Sequence, residues 1–269
     1  ANDTAGPYAV TASSAYGSVS FSLTNTAAGI AARIAALAPS DESAVVTHGY
    51  PDALRARVLD ANGNPVAGVT VSFTLGSNAG GSSPTGSSTA GSGTAGASFE
   101  DGAGQADAVT DSAGIASSPG LAANSTAGAF TATASTAGVA ATAVFELRNL
   151  AGPPVTVTAG AAASESSPVR GRFPIRLAVT VTDAERNPVA GALVTFSAPA
   201  RGPSGVFASG RRTAGHRTAS VRTNSSGVAI APALRASARP GGYIVRARVS
   251  RARSTAAFAL VNEPPGRAP

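Results

Sequence analysis

The stretch DANGNPVAGVTVSF, Asp60 to Phe73, returns 123 residues later as DAERNPVAGALVTF, Asp183 to Phe196. A chain that writes a segment twice at such a distance builds one domain twice, and this constrains the fold before any motif is read. In each copy a polar turn ending in Asn-Pro leads into Val-Ala-Gly, after which apolar residues alternate. Val69, Val71, Phe73 and Leu75 then share one face of an extended strand, because successive side chains point to opposite sides. Asn64-Pro65 and Gly68 supply the turn: Pro fixes φ and lacks an N–H, and Gly accepts positive φ.

Other landmarks recur with the same spacing. FSLTN (Phe21 to Asn25), FELRN (Phe145 to Asn149) and FALVN (Phe258 to Asn262) are three versions of one segment, each preceded by a Gly-x-aromatic run: GPYAVTA, GAFTATA and GGYIVRA. TDSAGIA from Thr110 matches TNSSGVA from Thr223. The period of 113 to 124 residues is that of a globular domain, not of a solenoid repeat. Complete copies are expected over 27–150 and 151–263, with 264–269 as a tail or linker. Residues 1–26 carry the closing hairpin of a third copy, since ANDTAG matches ANSTAG from Ala123. A lone hairpin is marginal in water. It needs the missing part of its own domain or another chain, which makes Tyr8, Val10, Val19, Phe21 and Leu23 candidate inter-subunit strand residues.

Short alternating runs separated by Gly, Pro and Asn turns, with no sustained 3.6-residue period, predict an all-β fold of tandem sandwich domains. Strands are expected at Ile30–Leu37, Ala53–Asp60, Val69–Leu75, Gln105–Thr110, Ala129–Ser135 and Thr142–Leu147, and in the second copy at Val155–Thr158, Phe173–Asp183, Ala192–Ser197, Gly205–Ala208, Thr218–Thr223, Tyr243–Val249 and Thr255–Val261. Residues 76–96 are nearly all Gly, Ser, Thr and Ala and read as a loop with nothing to bury against its ordering entropy. Twelve of the thirteen aromatic residues have an equivalent in another copy, as core positions should; only Tyr16 is left over. That leaves almost no aromatic for a stacking platform. No run is apolar and long enough to insert into a membrane, and no signal peptide is present, as expected for a mature form or an excerpt.

The quoted motifs together resemble the bacterial Ig-like repeats of invasin/intimin type, over nearly the whole chain. The resemblance implies an immunoglobulin-like two-sheet sandwich without the Cys–Trp–Cys core of antibody domains, and an extended extracellular or cell-surface array. It supplies no catalytic residue.

The residues themselves offer little chemistry. There is no Cys, hence no disulfide, thiolate nucleophile or zinc-thiolate site. DANGN opens like a calcium loop, but Gly63 stands fourth instead of sixth and Val71 stands where the terminal Glu belongs. Asp101, Asp107 and Asp111 flank a loop and read as solvated carboxylates or at most a weak cation site. His48 and His216 fall in different copies, and no nucleophile elbow exists. No cofactor, no metal and no catalytic residue are expected.

Charge is the feature the repeat leaves unexplained. All 20 cationic side chains are Arg. Residues 1–150 carry 4 Arg against 10 carboxylates, net −6, and residues 151–269 carry 16 against 4, net +12. Arg246 and Arg248 fall on the outward positions of a strand, Arg251 and Arg253 follow in its turn, and Arg211, Arg212, Arg217 and Arg222 lie near another strand. A solvated edge that discourages aggregation is one reading. The other is a face that grips a polyanion such as acidic polysaccharide, through the planar guanidinium fork. The first expectation for function is a structural stalk, fibre or adhesin shaft, stiffened at Leu150–Pro154 and assembling head-to-tail with other copies or further repeats through acidic–basic docking and strand addition. The alternative is an adhesion module that binds a polyanion or glycan through the arginine-rich face of the second copy.

Overall fold

The structure, a computed structural model, describes residues 6–25, 29–76, 94–160, 163–209 and 212–264, with backbone alone at 209 and 212–214. Every regular element among them is a β-strand. A hairpin comes first, β1 (Gly6–Ser14) and β2 (Gly17–Asn25), turning at Ala15-Tyr16. The first module follows with β3 (Arg33–Ala36), β4 (Asp41–Val45), β5 (Arg55–Leu59), β6 (Thr70–Leu75) and β7 (Ala97–Phe99). It continues with β8 (Gln105–Val109), β9 (Ile115–Ser117), β10 (Leu121–Ala123), β11 (Gly128–Thr136) and β12 (Ala143–Leu150). The second module has β13 (Thr156–Ala159), β14 (Ser164–Pro168), β15 (Ala178–Thr182), β16 (Leu193–Ser197), β17 (Gly205–Ser209) and β18 (Arg212–His216). It closes with β19 (Thr218–Arg222), β20 (Val228–Ile230), β21 (Leu234–Ala236), β22 (Gly241–Val249) and β23 (Ala256–Glu263).

The two modules repeat one topology, and the chain divides between Leu150 and Ala151. In the first, a five-stranded sheet runs β4-β12-β11-β6-β8 opposite β3-β5-β9, with β10-β7 as a short ladder. In the second the orders are β14-β23-β22-β16-β19 and β13-β15-β20, and β18 widens the short ladder to β18-β17-β21. The 26-residue step from Phe73 to Phe99 in the first copy becomes 11 from Phe196 to Phe207. Of the expected loop 76–96, all but Gly76 and 94–96 lies outside the described residues.

Alternation builds the core. Val71 and Phe73 are fully buried, with Val69 and Leu75 packed against the same cluster. Phe73 meets Phe145 at 6.4 Å and 42°, and their equivalents Phe196 and Phe258 meet at 6.3 Å and 39°. The ten aromatics of the two modules are all buried, each such side chain contributing about 1.5–3 kcal/mol relative to exposure.

Two expectations are corrected. The strand placed at Phe173–Asp183 begins only at Ala178. Phe173 lies upstream, donating its N–H to Leu234 O at 3.0 Å, and Pro174 after it has no N–H for a ladder. The polar strands β4 and β14 were not expected at all. DESAV and SESSP bury only Ala44 and Ser167, so no apolar alternation marks them. Both pair in parallel with the final strand of their module, Asp41–Val45 against Glu146–Leu150 and Ser164–Pro168 against Ala259–Glu263.

Candidate functional site

The polar residues of the repeated motifs are occupied with the backbone around them. Asp60 Oδ1 accepts from the N–H groups of Asn62 (2.9 Å) and Asn64 (2.8 Å), and Oδ2 accepts from Asn64 Nδ2 (3.1 Å). These donors hold its carboxyl below the ordinary carboxylate range. Asp183 repeats the turn with Asn187, and its Oδ2 also accepts the Gly152 N–H at 2.8 Å. DANGN is thus a saturated turn, as its spacing indicated. Thr110 joins the two motifs: its hydroxyl donates to Val66 O at 2.8 Å and accepts from Val69 N–H at 2.9 Å. Thr223 does the same with Val189 O (2.6 Å) and Ala192 N–H (2.9 Å). Gly114 in TDSAGIA has φ 71°, and a Cβ there would stand 2.5 Å from Val58 O.

A second polar constellation escaped the sequence reading. Asn149 is buried and donates through Nδ2 to Gly96 O (2.8 Å), Asn124 Oδ1 (3.0 Å) and Thr126 O (3.0 Å), while its Oδ1 accepts the Tyr50 hydroxyl at 2.6 Å. It latches the last strand to the segments entering β7 and β11. Asn262 repeats the latch with Ser204 O, Ser237 Oγ and Arg239 O at 3.0–3.1 Å. There Phe173 replaces Tyr50, and neither Asn262 Oδ1 nor Tyr243 Oη has a hydrogen-bond partner. Burial pushes the Tyr243 phenol up to about 12. The signal was available: Phe145, Leu147 and Asn149 share inward parity, so the Asn closing F-x-L-x-N is a core position.

The three aspartates offered as a weak cation site are also engaged locally. Asp101 caps Ala103 N–H, Asp107 accepts the Ser72 hydroxyl, and Asp111 accepts from Ala113 and Ile115 N–H. Among the described residues no three His, Asp or Glu side chains cluster as metal ligands. His48 Nδ1 lies 2.9 Å from Val46 O.

The arginines divide. Arg222, Arg246 and Arg248 are exposed on the outward face of one sheet, where Arg248 pairs with Thr195 and Thr195 with Ser220. The same row in the first module is Ser135–Ser72–Asp107. One sheet position thus carries a carboxylate in the first module, and its row carries a guanidinium in the second. Arg222 Nη1 also donates to Gly191 O at 2.7 Å. Arg217 is exposed in the bend just ahead of β19, its carbonyl accepting from Ala198 N–H. Arg251 (φ 69°) and Arg253 are exposed in the β22–β23 turn. Arg212 is described by backbone alone in β18, and Arg211 lies outside the described residues. Tyr8, Val10, Val19, Phe21 and Leu23 of the hairpin are all exposed.

No family model matches the chain, and no curated protein matches it in sequence. Among solved structures, InvD of Yersinia pseudotuberculosis superposes with a TM-score of 0.52 at 16% identity, over 86% of this chain and 58% of that one. The Escherichia coli adhesin FdeC gives 0.40 at 20% identity, over 92% and 69%. The Yersinia pseudotuberculosis adhesin InvE gives 0.32 at 15%, over 86% and 58%. The chain therefore spans under two-thirds of the InvD structure. The InvD superposition bears out the bacterial Ig-like resemblance at the level of fold. No helix among the described residues is long and apolar enough to cross a membrane.

Proposed function

We propose that the chain is a non-enzymatic, load-bearing segment of an extracellular surface fibre or adhesin shaft. One observation carries this reading: each module lays its early strand beside its final strand in parallel, β4 with β12 and β14 with β23. Tension applied through the two ends of a module then shears that ladder, so its hydrogen bonds resist together instead of opening one at a time. The polar motif residues support the same view, because in both copies they stabilise turns and strand ends. The fold shared with InvD is compatible with a run of such modules.

Assembly belongs to the proposal as well. The inverted charge of equivalent sheet rows, Asp107 in one module and Arg248 in the other, favours docking between copies by electrostatic complementarity. Sedimentation velocity at low and high salt tests it: salt-sensitive oligomers support docking, and a monomer in both removes it.

A second reading is favoured by Arg222, Arg246 and Arg248, which share a Ser/Thr-lined face. There the module would bind a polyanion such as acidic polysaccharide. Affinity for a sulfated or uronic-acid polymer, measured across salt, separates this from the shaft reading.

A further inference from the structure

β1 and β2 have the register of a finished hairpin and the exposure of an unfinished one. Gly6 pairs with Asn25, Tyr8 with Leu23, Val10 with Phe21 and Ala12 with Val19. The first module's closing hairpin pairs Gly128 with Asn149, Phe130 with Leu147, Ala132 with Phe145 and Ala134 with Ala143. The second pairs Gly241 with Asn262, Tyr243 with Leu260, Val245 with Phe258 and Ala247 with Ala256. Position for position the three agree, yet Phe21 is 51% exposed where Phe145 and Phe258 are at 0%. Tyr8 is 42% exposed where Phe130 is at 2%. Five large apolar side chains on a two-stranded ribbon mark a surface that something covers.

The complete modules show what covers it. A third strand, β6 or β16, pairs antiparallel along one hairpin edge, and a parallel strand, β4 or β14, pairs along the other. The face is then closed by the opposite sheet and the latch on the terminal Asn. Among the described residues β1 and β2 pair only with each other, so both edges and the apolar face are open together.

We infer that β1–β2 closes a further immunoglobulin-like module, and that its apolar face is covered by the earlier strands of that module, joined directly ahead of β1 in the same polypeptide. A second copy of the chain is a poor occupant, because the equivalent seats in both modules are already filled by β11–β12 and β22–β23. Connection in sequence follows the same pattern: Ala123 ends β10 and Gly128 begins β11, just as Ala236 ends β21 and Gly241 begins β22. The side chains also specify the kind of cover. Tyr8, Val10 and Ala12 match Tyr243, Val245 and Ala247 of the second module, where the first has Phe130, Ala132 and Ala134. The covering strands therefore present a Phe edge to Tyr8, as Phe173 does to Tyr243 at 6.5 Å and 78°. The inference deepens the modular part of the proposed function and stands whether or not the array bears load.

The test places a copy of residues 151–235 ahead of Ala1 in the full chain, so that Ala1 takes the position of Ala236. Hydrogen exchange should slow at least a hundredfold across β1 and β2 relative to the parent chain, and a third calorimetric transition should appear. Phe21→Asp in that chimera should abolish both while the two original transitions persist. A second chimera, with residues 27–122 ahead of Ala1, guards against a single misfitting graft and should protect the hairpin less. Protection in neither chimera, with both original modules still melting cooperatively, overturns the inference. Protection already present in the parent chain together with a dimer mass overturns it in favour of a second copy, and stronger protection behind residues 27–122 overturns the assigned kind of cover. Failure of the shaft reading would leave these exchange results unchanged.

Discussion

The Thr110 hydroxyl donates to the carbonyl oxygen of Val66 at 2.8 Å, and Thr223 makes the same bond to Val189 at 2.6 Å. The contact joins the two most repetitive motifs of the chain, 44 and 34 residues apart in sequence. Each hydroxyl also accepts an N–H, so Thr→Val removes a donor and an acceptor at a buried site without changing shape. Thr110→Val should destabilise the first module by about 2–3 kcal/mol, and Thr223→Val the second to a similar extent. Differential scanning calorimetry should show one transition moving in each variant, with Thr110→Ser close to the parent.

Asn149 and Asn262 should differ in cost. Asn149→Ala leaves the buried Tyr50 hydroxyl without its acceptor and takes the Nδ2 donor from Gly96 O, Asn124 Oδ1 and Thr126 O, and should cost the first module about 3 kcal/mol. Asn262→Ala removes only the donor side, because its Oδ1 accepts nothing, and should cost less. Urea unfolding of each variant, fitted module by module, checks the ranking.

Gly114 and Gly63 separate strain from space. Both have positive φ, 71° and 87°, but a Cβ at Gly63 meets nothing within 4 Å. Gly63→Asn should be nearly neutral, since Asn tolerates this region. Gly114→Ala adds a 2.5 Å approach to Val58 O on top of about 1–2 kcal/mol of left-handed strain, and should lower the first transition distinctly.

Acid should act on the first module in two opposing ways. Hydrogen bonds from the Asn64 side chain and backbone hold folded Asp60 below its ordinary 3.8. Its stabilisation is therefore present above that value and is lost as pH falls through the lowered one. Burial lifts folded Glu42 above its ordinary 4.5. Its penalty is full above the raised value and is relieved as pH falls through it towards 4.5. Glu42→Gln should raise the first melting temperature at neutral pH and remove the gain on mild acidification. Asp60→Asn should lower it at neutral pH and flatten the fall in strong acid. Melting curves across pH for the two variants distinguish the signs.

What the sequence made legible was whatever alternation and duplication mark. Phe73 and Phe196 sit in equivalent cores, and β22 alternates Tyr243, Val245 and Ala247 inward with Arg246 and Arg248 outward. β4 and β14 were illegible because a polar edge strand buries one residue and is defined by its partner. The latch was legible only after parity was applied to Asn149, a polar residue at a core position. The arginines scattered for another reason: alternation alone does not say that Arg217 falls in the bend just ahead of β19 while Arg222 lies within the strand and faces out.

The central claim is that each module is closed by a parallel clamp and works under tension. Single-molecule stretching of the chain from its two ends tests it directly. Two separate unfolding events are expected, one per module, each releasing about 35 nm of chain between the clamp strands. Ala44→Pro and Ser167→Pro, which remove N–H donors of the parallel ladders in step with the bonds from Val46 N–H to Leu150 O and from Val169 N–H to Glu263 O, should lower the force of the corresponding event. Smooth extension without discrete events, or forces unchanged by both substitutions, would contradict the account.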